Sequence, residues 1–269
     1  MHAGLLRPDS AAAPALAEAA QVAAELKALP DAETAAATVA LIFDYPSAWA
    51  WEAQPQGADF DYFRLVLTAY RALRRAGLSV DILPAETGDL SGYALVLAPG
   101  LATLPDALMA ALQAYGGIAL LGPRTNAKTP DMAIPVPLPP ALPGLDATIA
   151  LVESLPPGVT VSLTSGGAMV HWMERLEGAA DTVLTTNDGH PALVRRDGLH
   201  YLAGWPDDET FPKIARDLAR QAGLQTHDLP PGVRTRDTAT HRFWFNYNAE
   251  AVTVETHQIP AAGVHWEAL

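Results

Sequence analysis

Val39-Ala-Leu-Ile-Phe43, followed by Asp44-Tyr-Pro-Ser-Ala-Trp49-Ala-Trp51-Glu52, is a short apolar run broken by a segment with a proline and two indoles. Such a run between turn signals reads as a strand buried on both faces, and the segment after it reads as a loop. From Phe60 to Arg75 the apolar residues Phe63, Leu65, Val66, Leu67, Tyr70 and Leu73 recur at helical spacing. Arg74 and Arg75 fall in the last turn and Gly77 is placed to stop it. Ser79-Val-Asp-Ile-Leu83 and Tyr93-Ala-Leu-Val-Leu97 read as further strands. Strand, helix, strand in this order implies a right-handed crossover and a parallel sheet.

Outward from this unit the pattern continues. Leu104 to Tyr115 predicts a helix, with Pro105 and Asp106 in its first turn and Gly116-Gly117 after its end, and Ile118-Ala-Leu-Leu121 predicts the next buried strand. The proline-dense stretch from Pro123 to Pro143 excludes helix and permits at most an edge strand. Thr160–Leu163, Asp181–Thr185, Ala192–Arg195 and Leu199–Leu202 are short strand candidates, the last two joined by an Arg196-Asp197-Gly198 hairpin turn. Asp207, Asp208 and Glu209 open an amphipathic helix, Phe211 to Gln221, that stops at Gly223. Upstream, Leu5 to Asp9 reads as a strand or loop end, and Ala11 to Leu29 as an Ala-rich helix that needs a surface to pack on. Pro230-Pro231-Gly232 marks a boundary, after which Val233 to Leu269 alternates as strands do, with His241–Tyr247 and Val252–Glu255 the clearest runs.

The 269 residues, 49% of them hydrophobic, suffice for a substantial core. A formal charge of −13, from 17 basic and 30 acidic residues, repels phosphate backbones and anionic membrane surfaces, so nucleic acid and membrane are not expected partners. No run approaches the roughly 20 apolar residues that span a bilayer, and the N-terminus lacks a secretory layout. With no cysteine at all, this predicts a cytoplasmic protein without disulfides, thiolate metal sites or cysteine nucleophiles.

Chemistry-bearing motifs are few. Gly116-Gly117-Ile-Ala-Leu-Leu-Gly122 precedes a strand, whereas a dinucleotide fingerprint must follow one, so it reads as a helix stop. The strand end Leu121-Gly122-Pro123-Arg124-Thr125 holds no Ser or Cys for a nucleophile elbow. A glutamine-amidotransferase-like sheet is compatible with this pattern, but an active enzyme of that kind is not. The eight histidines show no metal-ligand spacing. His190 and His200 flank the hairpin and are placed to face each other, but hydrogen-bonded or surface histidine is the preferred reading. Glu174 and Glu177, three apart, would share a helix face, and Asp207 to Glu209 suit a helix N-terminus without any catalytic role. No cofactor and no metal are expected. Trp49, Trp51 and Glu52 are the candidate interface or sugar-proximal residues, because they follow the first strand, where open α/β sheets place ligands. Core or interface packing is favoured there over ligand contact.

Phe43 to Glu52, Gln54-Pro-Gln-Gly57, Tyr70-Arg-Ala-Leu73, Gly77 to Leu83, Tyr93 to Pro99 and Gly117 to Thr125 together resemble the trimerisation domain of family forty-two glycoside hydrolases, which are β-galactosidases. Met1 to Asp9 resembles the segment closing their catalytic barrel, and Val233 to Leu269 their small C-terminal β domain. The resemblance implies a remnant of the barrel-terminal segment with a linker helix over 1–36, an α/β trimerisation domain over 37–228 and a small β domain over 229–269. The expected fold is α/β, a flavodoxin-like or class I glutamine-amidotransferase-like parallel sheet flanked by helices, with a small C-terminal antiparallel unit. Retaining glycosidases need two carboxylates about 5 to 5.5 Å apart, which the family carries on a (β/α)₈ barrel of around 250 residues. This chain has no room for a barrel, so no catalytic residue carries over. Met1 is then expected to be an internal methionine of a longer enzyme, used as a start in a truncated or split gene. The expected function is the non-catalytic C-terminal portion of a β-galactosidase, acting in assembly and active-site shaping. Its expected partners are a barrel domain or other copies of the chain, a trimer in the family, with galactosides reached through the parent enzyme. The alternatives are a free-standing carbohydrate-binding or sensing module and an unrecognised hydrolase.

Overall fold

Val39, Ala40, Leu41 and Ile42 are fully buried, as expected of a strand with helices over both of its faces. In the computed structural model, which describes residues 4–29 and 33–269, the first elements are α1 (Pro14–Ala28), β1 (Val39–Phe43), α2 (Tyr45–Ala53), α3 (Tyr62–Arg75), β2 (Val80–Pro84), β3 (Leu95–Ala98), α4 (Asp106–Ala114) and β4 (Ile118–Leu121). After an irregular stretch come β5 (Thr148–Ser154), β6 (Thr160–Ser162), β7 (Ala168–Glu177), β8 (Asp181–Thr185), β9 (Pro191–Arg196), β10 (Leu199–Leu202), β11 (Gly204–Pro206) and α5 (Thr210–Gln221). The chain closes with β12 (Val233–Asp237), β13 (His241–Asn246), β14 (Val252–Val254), β15 (His257–Ile259) and β16 (Val264–Ala268).

The main sheet has seven strands in the order β2-β1-β3-β4-β10-β9-β8. Its first five are parallel, in the register Val39 opposite both Val80 and Leu95, Leu95 opposite Ile118, and Leu199 opposite Ala119. β9 and β8 then add antiparallel, the first through the hairpin at Asp197. Successive residues of β1 and β3 feed opposite cores. Val39, Leu41, Leu95 and Leu97 pack with α3 and α5 through Leu65, Leu73, Phe211 and Leu218, while Ala40, Ile42, Val96 and Ala98 pack with α4 through Leu108 and Ala111. This period-two partition is what places helices on both faces. A second, antiparallel sheet of β11, β7 and β5, with β6 also paired to β7, lies beyond.

Residues 44–52 depart from the expected loop. They form α2, because the Asp44 carboxylate accepts from the Ser47 amide at 2.7 Å and Pro46 sits in the first turn, where its missing N–H is harmless. Glu174 and Glu177 do not share a helix face either. Both lie on β7, where Glu174 falls in a buried run with Trp172 and Met173 and Glu177 ends the strand exposed. Pro123 to Pro143 holds no helix, as its prolines require.

The expected helix over 11–29 is present as α1, and none of its residues is buried. Parts of the 1–36 segment, residues 1–3 and 30–32, lie outside the described residues. At the other end β12, β13 and β16 form a three-stranded sheet beside the β14–β15 hairpin. Trp244, Val233, Leu229, Val254 and Ile259 make their common core. This region attaches at the end of α3, where Arg74 donates to the Thr235 carbonyl at 2.8 Å and the Thr235 hydroxyl to that of Gly77 at 3.1 Å.

Candidate functional site

Open α/β sheets offer ligands the space beyond the carboxyl ends of their parallel strands. Here the ends of β1, β3 and β4 deliver Asp44, Gly100 and Arg124. The Asp44 carboxylate is occupied as the cap of α2, accepting also from the Ser47 hydroxyl at 2.6 Å. Trp51, carried inward by α2, stacks on Phe60 with centroids 4.3 Å apart and planes 7° from parallel, and its Nε1 donates to the Gly100 carbonyl at 3.0 Å. It is 1% exposed.

Arg124 occupies the centre of this aromatic group. Its guanidinium carbon lies 5.3 Å from Trp51, 5.5 Å from Phe60 and 5.3 Å from Trp172, and the side chain is buried with Nη1 lacking a hydrogen-bond partner. Cation–π attraction in a desolvated setting contributes on the order of 2 kcal/mol per good contact, which offsets part of the burial. The compensating charge is Glu174, wholly buried. Its Oε1 accepts from the Arg124 amide at 2.8 Å and Trp172 Nε1 at 3.0 Å, and its Oε2 from the Tyr201 hydroxyl at 2.7 Å. Burial pushes the Glu174 carboxyl above its ordinary range, against the pull of those three donors and of Arg124. Burial also holds Arg124 below the usual guanidinium value and raises the Tyr201 phenol well above its own, so Tyr201 stays a donor.

A cavity of about 440 Å³ opens over this centre, with Gln54, Gln56, Lys128, Leu151 and Trp172 on its walls beside Arg124. Asp44 and Glu174 are the buried acids among the described residues, and both accept hydrogen bonds from neighbouring groups. The arrangement suits recognition of a hydrogen-bond acceptor rather than acid–base chemistry, which needs a carboxylate free to exchange its proton.

The three sequence-derived candidates do not converge. Trp51 is core, Glu52 is exposed, and Trp49 is 63% exposed, 6.2 Å from the Tyr45 ring on the outer side of α2. Around Trp49 an aromatic surface forms, Tyr45 lying 6.2 Å from Phe63 and 4.9 Å from Phe43, with Leu67 also exposed on α3. His190 and His200 do not face each other. His200 pairs across the hairpin with Arg195, and His190 precedes β9 beside Asp188. Arg124 and Glu174 were missed as a pair. The Gly-Pro-Arg-Thr strand end was visible in sequence, but nothing local links it to an acid fifty residues on. The described residues bring one metal-capable set together, His257, His265 and Glu267, in the C-terminal sheets.

Fold and crevice define a mixed α/β module with a buried polar centre of Arg124, Glu174 and Tyr201. The chain belongs to the β-galactosidase trimerisation domain family, whose model matches residues 37–225. It is 43% identical over 261 residues to a β-galactosidase of Thermus thermophilus, covering 94% of this chain and 40% of that protein. Bga, a β-galactosidase of Halorubrum lacusprofundi, is 35% identical over 263 residues, of which this chain covers 37%. Among solved structures, the β-galactosidase of the psychrophilic Marinomonas ef1 superposes with a TM-score of 0.89 at 33% identity, covering 99% of this chain and 44% of that one. The chain thus spans about 40% of the length of the curated relatives it matches.

Proposed function

We propose that this chain is the non-catalytic C-terminal portion of a β-galactosidase, serving oligomer assembly and the shaping of an active site carried by a barrel domain. The observation that carries the reading is the exposed aromatic surface of Tyr45, Trp49 and Phe63 with Leu67, on a domain of the trimerisation family. Aromatic residues concentrate binding energy at interfaces, and soluble proteins rarely leave such clusters uncovered. A second exposed apolar group, Ile134, Val136 and Leu138 with Leu151 and Val152, extends the surface available to a barrel or to another copy. The boundaries 37–228 and 229–269 fit this reading, since the second region has its own small core. The strand order β2-β1-β3-β4 supports a flavodoxin-like scaffold. A cytoplasmic location fits the absence of cysteine. Light scattering on a barrel-containing parent tests the role. Trp49→Ala is expected to shift trimer toward monomer, while the isolated chain is monomeric or weakly associating. An unchanged trimer clears Trp49, and a tight trimer of the isolated chain places the contacts within this domain.

A second reading, a carbohydrate-binding module, is favoured by the crevice itself, where Trp172, Gln54, Gln56 and Arg124 line one cavity. Aromatic faces beside planar donors are what a sugar ring with hydroxyl acceptors requires. Galactose titration monitored by indole fluorescence distinguishes the two readings, since saturable quenching lost in Trp172→Phe supports the second.

A further inference from the structure

We propose that His257, His265 and Glu267 form a divalent transition-metal site, zinc-like in its ligands, that staples the two C-terminal sheets together. His257 stands on β15 of the two-stranded sheet, whereas His265 and Glu267, two residues apart on one face of β16, belong to the three-stranded sheet. One ligand atom of each lies within 4.8 Å of the others, and His257 Nε2 is 3.6 Å from Glu267 Oε2. The two imidazoles lie with centroids 4.7 Å apart and planes tilted by 30°, and Trp244 packs against them at 4.7 and 5.6 Å. Nε2 of His265 is buried with no hydrogen-bond partner. A buried polar atom left unpaired carries its full desolvation penalty. A metal ion removes that penalty by taking the imidazole lone pair, and it converts an unfavourable approach of two basic rings into shared coordination.

Two imidazoles and one carboxylate, with water in the fourth position, are a donor set that zinc accepts at bond lengths of about 2.0 to 2.2 Å. Glu267 is exposed, so its carboxylate is free to close the remaining distance. The physical gain is specific to this region. Its sheets share five buried apolar residues, and small units with little core are commonly reinforced by a metal. The histidines, eight positions apart, meet because the turn after β15 folds β16 back beside it. The site stands apart from the assembly role proposed above and does not depend on it.

The test uses the full chain, stripped with a chelator and titrated with Zn²⁺ in competition with a chromophoric zinc indicator. One Zn²⁺ per chain is expected, with a raised unfolding midpoint, and Co²⁺ in its place should give the visible band of a four-coordinate site and quench Trp244 fluorescence. His257→Gln and His265→Gln should each weaken binding by at least about tenfold. Glu267→Gln, at an exposed position that leaves folding intact, should weaken it as well. Absence of binding by the intact chain overturns the proposal, as does undiminished affinity in Glu267→Gln and in a folded His257→Gln/His265→Gln double variant.

Discussion

Trp51 and Trp49 are two positions apart, yet physics assigns them opposite roles. Trp51 is stacked on Phe60 and hydrogen-bonded to Gly100, and its truncation leaves a cavity, so Trp51→Ala should lower stability by about 3 to 5 kcal/mol in denaturant unfolding. Trp49→Ala removes a solvent-facing ring and should stay within about 0.5 kcal/mol of the parent chain. Equal losses at the two positions would refute this division. His200 supplies a pH prediction. Burial lowers its pKa, only partly opposed by the hydrogen bond to the Gly198 carbonyl. Between the unfolded value of about 6.5 and the lower folded one, the unfolded chain binds a proton that the folded chain does not. Stability is therefore full above that window and falls as pH drops through it. Unfolding midpoints from pH 8 down to 5 should show this fall, with a shallower slope in His200→Gln. His171, also lowered by burial although Asp59 lies 2.8 Å away, accounts for part of the remaining slope.

At the scale of elements, α1 is the outlier. It spans fifteen residues, none of them buried, and Val22 and Leu26 are exposed. An isolated helix of that length is marginal in water, so its amides should exchange with solvent orders of magnitude faster than those of α3, whose Leu65 and Leu73 are fully buried. Trypsin should cut at Lys27 early, and the remainder should keep its unfolding midpoint. Slow exchange across α1 in a proven monomer would show that it packs in a way this structure lacks. Helices with strong periodicity were legible from sequence because burial of one stripe, as in α3 and α5, imposes the spacing. α2 was not, since nine residues rich in Ala and Trp carry no clear stripe and its start signal, Asp44 with Pro46, also reads as a turn. β7 escaped notice for a different reason. A strand paired on both sides and buried along much of its length shows no alternation that sequence can reveal, and the spacing of Glu174 and Glu177 within it reads as a helix face.

For the whole molecule, the prediction is that this chain alone does not cleave a chromogenic β-galactoside, because its buried acids, Asp44 and Glu174, are held by fixed donors and retaining hydrolysis needs a free pair. Turnover that co-purifies with the chain and disappears on mutating one of its own acids would overturn it. The parallel order of β1, β2 and β3, the hairpin at Asp197 and the absence of thiol chemistry followed from sequence by itself, since short-range periodicity, turn residues and composition encode them locally. Membership of the trimerisation family was legible too, because its blocks from Phe43 to Thr125 are colinear, and the family model matches 37–225. Only the tertiary structure decided that Trp51 is core and Trp49 surface, that Arg124 sits caged above Glu174, and that His257 meets His265. Each of those is a contact between residues whose approach depends on how strands and helices pack, and no local pattern records the direction in which a side chain finally points.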